Sequence, residues 1–289
     1  MENVNCLKLK RHETFSIRNS WLEKGINVVK ENPLCFRKDD ATRLFGIGSN
    51  MVKSLKYWLM ATKLVEFGQN FGAKLTDFGE CIYKYDRYIE DLFSWWMIHY
   101  FLSTNFHDSP VINDIFNNTI NKFDKEKITL EVRKDFEKKG YKIGAESSLD
   151  SDISVALRTY YAENKCNPED STECPLGKLK LLELSDSQKY NKTHPQINSL
   201  DYRVIYYCIL NCIKNNSINL SCNLEDLYTY ENNPLKIFNL SKSSLFNYLD
   251  DMNRNGLIHL IKTAGLNTLY IEKEISIYDL FESYYKEKR

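Results

Sequence analysis

Residues 39–58, DDATRLFGIGSNMVKSLKYW, constrain the fold more than any other stretch of this chain. Their spacing predicts two short helices joined by a tight turn. Ala41, Leu44 and Phe45 share one side of the first helix, and Val52, Leu55 and Leu59 recur at i, i+3 and i+7 on the second. Gly46 and Gly48 stand between them, where a turn needs residues free to enter positive φ. Ser49 is the expected N-cap of the second helix. Asn50, Lys53, Ser54 and Tyr57 then fall opposite the apolar stripe, with Lys56 at the margin. An exposed face carrying an amide, hydroxyls and ammonium groups suits DNA phosphates and base edges. The same helix pair also serves elsewhere as a plain packing unit, so the spacing alone leaves both roles open.

The flanking residues extend the pattern. Residues 64–67 and 73–76 read as two strands around a Gly/Asn turn, and Thr76 opens a helix through Tyr85. Helix, helix, hairpin, helix is the order of a winged-helix domain, with residues 69–72 at the wing tip. Residues 88–103 are apolar all round, which predicts a central buried helix, and His99 within it reads as a hydrogen-bonded core histidine rather than a ligand. Residues 111–123 and 128–139 read as amphipathic helices, and Ser151 or Asp152 as the cap of a helix over 153–162. Residues 163–200 hold Pro168, Pro175 and Pro195 and read as an irregular connection with one strand-like run at 179–184.

Helices over 202–214, 224–230 and 241–252 follow, then a hairpin of 257–262 and 269–271. This is a second winged-helix-like unit. Its would-be reading helix offers Asp250 and Asp251 against the single Lys242, which suits protein contact or dimerisation better than phosphates. The fold class expected is therefore mostly α with small β wings. Its divisions are a winged helix-turn-helix over 1–90, a helical middle over 91–198 and a winged-helix-like unit over 199–289.

Charge narrows the functional choice. The whole chain is neutral, but residues 1–90 carry 15 Lys and Arg against 11 Asp and Glu. Only this third has the sign that favours a phosphate backbone. Eight cysteines include no Cys-x-x-Cys pair, and no apolar run is long enough to span a bilayer. A cytoplasmic protein with free thiols and no membrane partner is expected. Cys208 and Cys212 share a helix face, and with Cys166 and Cys174 could form a zinc site, although buried structural thiols are the simpler reading.

Several strings together resemble an uncharacterised bacterial family, domain of unknown function 4007. They are His12-Glu13-Thr14-Phe15 with Arg18 and Trp21-Leu22, then residues 46–52 with Tyr57-Trp58. Residues 86–91 with Trp96 and His99, Cys174-Pro175-Leu176, Asn233-Pro234-Leu235 with Phe238, and residues 263–266 complete them. The resemblance implies a non-enzymatic partner encoded near sulfur-transfer enzymes of the phosphoadenylyl-sulfate reductase type, in neighbourhoods of phosphorothioate DNA modification and anti-phage defence. It transfers this context and no mechanism.

The cluster His12, Glu13 and Arg18 has the residue types of acid-base or phosphate chemistry. Residues adjacent in sequence do not by themselves set the geometry of nucleophile, base and orienter. Locking the N-terminal segment onto the helix pair, or onto nucleic acid, is the simpler role. No Walker-type loop, Gly-x-Ser-x-Gly or His-Glu-x-x-His occurs, and no cofactor is called for. The sequence therefore points to a non-enzymatic protein binding double-stranded DNA through Asn50, Lys53, Ser54, Lys56 and Tyr57, with Arg43 and Lys74 on flanking phosphates. If the chain forms a homodimer, a palindromic site is expected. The rival is a scaffold for a sulfur-transfer or ATPase partner that never touches DNA.

Overall fold

The computed structural model describes residues 7–18, 20–37, 41–161, 174–263 and 266–288. Six elements make the first unit: α1 (Trp21–Glu31), α2 (Ala41–Phe45), α3 (Ser49–Ala61), β1 (Val65–Gly68), β2 (Gly72–Leu75) and α4 (Asp77–Tyr85). Gly46 takes a φ of 60° between α2 and α3, as the turn requires. Gly48, not Ser49, occupies the N-cap of α3, and Ser49 is already its first helical residue. The strands pair antiparallel from Val65 opposite Leu75 to Gly68 opposite Gly72. Thr76 caps α4 by accepting the Gly79 N–H at 3.0 Å.

The core is organised around α5 (Leu92–Thr104), a helix apolar on every side, in which Trp96, Met97, Ile98, His99 and Leu102 are fully buried. Helix α6 (Pro110–Asn117), strand β3 (Lys122–Phe123), α7 (Lys125–Lys138) and α8 (Glu146–Tyr160) follow. The helix expected over 111–123 thus stops at Asn117. Asn118 turns the chain instead, its side-chain oxygen accepting the Ile120 N–H at 2.9 Å, which frees Phe123 to pair with Tyr190. Helix α8 starts seven residues before the expected position, so Ser151 and Asp152 are interior to it. The Asp152 carboxylate is occupied from outside the helix, by the Lys10 N–H at 2.9 Å. A 3₁₀ turn (Pro175–Leu179) precedes β4 (Leu182–Leu184) and β5 (Tyr190–Lys192), and the small sheet runs β3-β5-β4.

The last third contains α9 (Tyr202–Asn216), β6 (Ser221–Asn223), α10 (Leu224–Thr229), α11 (Pro234–Ile237), α12 (Lys242–Arg254), β7 (Ile258–Thr263), β8 (Leu266–Ile271) and α13 (Ile277–Lys288). The expected hairpin is present, with β6 added on the outer side of β8. Helix α13 returns to pack on α4 and α9, so the first and last thirds share a core. Phe281 is fully buried there, with ring centroids 6.0 Å from Phe78 and 5.1 Å from Phe93. The molecule is mostly α with small β sheets.

Candidate nucleic-acid interface

Helix α3 exposes Asn50, Lys53 and Lys56 and buries most of its remaining surface. The Lys53 ammonium lies 3.4 Å from the Asn50 side-chain oxygen and 3.8 Å from Glu13. The Lys56 ammonium sits 4.9 Å from the centre of the Phe67 ring, which fixes it between the helix and strand β1. Arg43 is exposed on α2, and Lys74 is exposed on β2, 3.5 Å from Glu66. Arg37, which has no place in the helix-turn-helix pattern, donates through its guanidinium to the Gln69 carbonyl at the hairpin turn. Lys53, Lys56 and Arg37 thus lie along the helix and its contact with the hairpin, while Lys74 and its partner Glu66 point to the other face of the hairpin from Phe67.

Two of the expected contact residues are not on this face. Ser54 is fully buried and Tyr57 is 8% exposed. The N-terminal segment, expected to lock onto the helix pair, lies over Tyr57 and Trp58 of α3. The His12 ring packs 6.2 Å from Trp58 in a stacked arrangement and edge-on to Tyr57 at 5.8 Å, and Trp58 donates its indole N–H to the Phe15 carbonyl at 3.0 Å. Burial, reinforced by the nearby Asp152 carboxylate, raises the Tyr57 phenol far above its ordinary range. A neutral, buried phenol has no access to DNA.

The segment acts as a strap. His12 Nε2 is 3.1 Å from Asp152 of α8, and the Arg11 guanidinium is 3.0 Å from Asp108. Asp108 also pairs with Lys63 at 3.0 Å and accepts from the Asn105 amide. Although burial opposes ionisation, these donors hold the Asp108 carboxyl well below the usual range. Lys10, Glu13 and Thr14 all take positive φ, and at β-branched Thr14 that conformation is strained. Glu13 faces Lys53, while Arg18 lies 5.4 Å from the rings of both Phe15 and Trp21. His12, Glu13 and Arg18 thus each engage a different partner, and the strap joins α3 to α8.

His99 is enclosed in the core. Its Nε2 donates to the Ile237 carbonyl at 2.8 Å, and its Nδ1 meets the Tyr160 hydroxyl at 2.8 Å. Burial lowers its pKa to about 4, so the ring is neutral at ordinary pH. Cys208 and Cys212 point to the carbonyls of Asn232 and Glu231, and burial raises both thiols. Cys166 lies outside the described residues, and among the described residues no three His, Cys, Asp or Glu side chains gather as a metal site. A cleft of about 560 Å³ opens between α5, α12 and α13. Asp91, Asp201, Asp251, Tyr202, Tyr248 and Tyr284 line it. Burial alone would raise Asp91, but the Lys288 ammonium at 2.6 Å, the Phe93 N–H and the Tyr284 hydroxyl keep its carboxyl low.

Fold and site together define a mostly α protein that presents a basic helix face beside a short hairpin. Residues 9–285 match the model of the family described as protein of unknown function DUF4007, and the chain belongs to that family. Two solved structures share its fold. A magnesium ion-bound SspB aligns with a TM-score of 0.84 at 24% identity, covering 97% of this chain and 87% of its own. A second SspB structure aligns with a TM-score of 0.81 at 25% identity over the same shares. No curated protein sequence matches the chain.

Proposed function

We propose that this protein is a non-enzymatic DNA-binding component of a bacterial DNA-modification or phage-defence system, with its first unit working as a winged helix. The observation that carries this reading is the position of Lys56, exposed on α3 and resting on Phe67 of the hairpin. It joins the amide and ammonium of Asn50 and Lys53 to the hairpin whose turn Arg37 contacts, so basic side chains lie on both the helix and the wing. A helix lying in the major groove with a hairpin along the backbone uses such a surface. The reading set comprises Asn50, Lys53 and Lys56, with Arg37, Arg43 and Lys74 on phosphates. The defence context comes from the family resemblance.

The test is fluorescence anisotropy with a labelled duplex across a salt series. Binding is expected to weaken steeply as salt rises, and the Lys53→Glu/Lys56→Glu variant is expected to lose it. Equal behaviour of the two proteins would overturn the interface. Because a protein of the same fold is described with magnesium, the incubation is repeated with that ion. An intact duplex is expected, and nicks would overturn the non-enzymatic part. A scaffold for a sulfur-transfer or ATPase partner is the second reading, favoured by the cleft beside α13. Its tyrosines and its aspartates, each paired with a Lys or Arg, suit a polar protein surface.

A further inference from the structure

The hairpin tip is apolar where a simple phosphate clamp has no need to be. Phe71 is 45% exposed and Leu34, from the loop after α1, is 48% exposed. Both border Gly72, Phe71 as its neighbour in the chain and Leu34 through a Cδ2 that a Cβ there would meet at 3.1 Å. Gly68 and Gly72 create this tip. The Phe71 ring lies across Gly68, with its Cε1 only 2.3 Å from where a Cβ would stand. Gly72, at a φ of 79°, closes on the Pro33 carbonyl, which accepts the Ala73 N–H at 2.8 Å. Phe36 supports the hairpin from below, edge-on to Phe67 at 5.4 Å and stacked on Phe45 at 4.8 Å. The tip is therefore held in place before any ligand arrives. Cations surround it: Arg37 is bonded to the Gln69 carbonyl within the turn, and Lys56 rests on the same hairpin.

We infer that Phe71 and Leu34 form a wedge that enters a base step of duplex DNA while Arg37 and Lys56 hold the flanking phosphates. The inference rests on the DNA-binding reading and names what that site does to its substrate. An exposed phenylalanine beside a leucine is the side-chain type that unstacks base pairs, and flanking positive charge is what brings a phosphate backbone to it. Insertion costs the stacking energy of one step, so the wedge favours DNA in which that step is already weakened.

The experiment compares a perfect duplex with the same duplex carrying a single-base bulge, using wild type and Phe71→Ala at several salt concentrations. Wild type is expected to bind the bulged duplex about tenfold more tightly, the scale of one stacking contact. Phe71→Ala is expected to lose that preference while keeping the salt dependence on the perfect duplex. The replaced side chain is solvent-exposed, and an unchanged circular dichroism melt confirms the fold. Equal binding of both duplexes by wild type, or a preference that survives in Phe71→Ala, overturns the wedge and leaves the DNA-binding reading standing. Absence of binding to either duplex at low salt overturns both.

Discussion

At the residue scale, the buried polar side chains have opposite consequences for stability against pH. His99 is neutral in the fold, with a pKa of about 4 against an unperturbed value of about 6.5. The unfolded chain therefore binds its proton first, and stability is lost as pH falls from 6.5 towards 4. The size is about 3 kcal/mol. His99→Gln keeps a donor for Ile237 without titrating, and is expected to flatten the wild-type decline in melts across that range. Asp114 on α6 is 2% exposed, with one carboxylate oxygen that has no hydrogen-bond partner in the structure. Burial, with Asp135 nearby, raises its pKa to about 7. Here the fold prefers the protonated acid, so stability is lost as pH rises from about 4 to 7. Lys192 opposes this in part, although burial lowers its own pKa to about 8. Asp114→Asn is expected to stabilise the protein at pH 8 by on the order of 1–3 kcal/mol, and to have little effect at pH 4. Denaturant unfolding at the two pH values checks it.

At the element scale, close backbone approaches fix how helices meet strands. A Cβ at Gly79 would stand 2.1 Å from the Leu64 carbonyl oxygen, where α4 crosses the start of the hairpin. Gly79→Ala is expected to shift α4 and cost about 1–3 kcal/mol, read as a lowered melting temperature. Most elements of this unit are legible in the sequence because their signals are local: the α3 stripe, the glycine turn, the Thr76 cap. The exposed face was misread at Ser54 and Tyr57, because helical spacing shows which residues share a side but not what covers it. At Tyr57 the cover is the segment around His12, whose partner Asp152 is about 140 positions away. The same contact explains the start of α8, since an aspartate that reads as a cap is engaged by a distant backbone N–H. Helices α1 and α13, 11 and 12 residues long, have no counterpart in the sequence reading, and strand β6 and helix α11 are too short for one. Three or four residues carry too little periodicity to register.

At the scale of the whole molecule, the strap and α13 join parts that sequence reading separates into thirds. Asp91 receives Tyr284 and Lys288, and Arg203 pairs with Glu287, so α13 is held by polar contacts at its end and by Phe281 at its centre. Phe281→Ala is expected to cost about 3–5 kcal/mol. Because Phe281 touches Phe78 and Phe93 at once, unfolding should remain a single transition at lower temperature, followed by calorimetry. Two separated transitions would show that the thirds are independent. The docking of α13 on α4 also carries a consequence for synthesis on the ribosome. The two helices are separated by nearly two hundred residues, which take roughly 10–40 s to translate. Throughout that interval α4 has only α5 against its aromatic side, through Phe101 on Phe78, and Tyr85 lacks its partners Phe281 and Tyr285. A chain stalled before α13 would then present a greasy surface to chaperones and proteases.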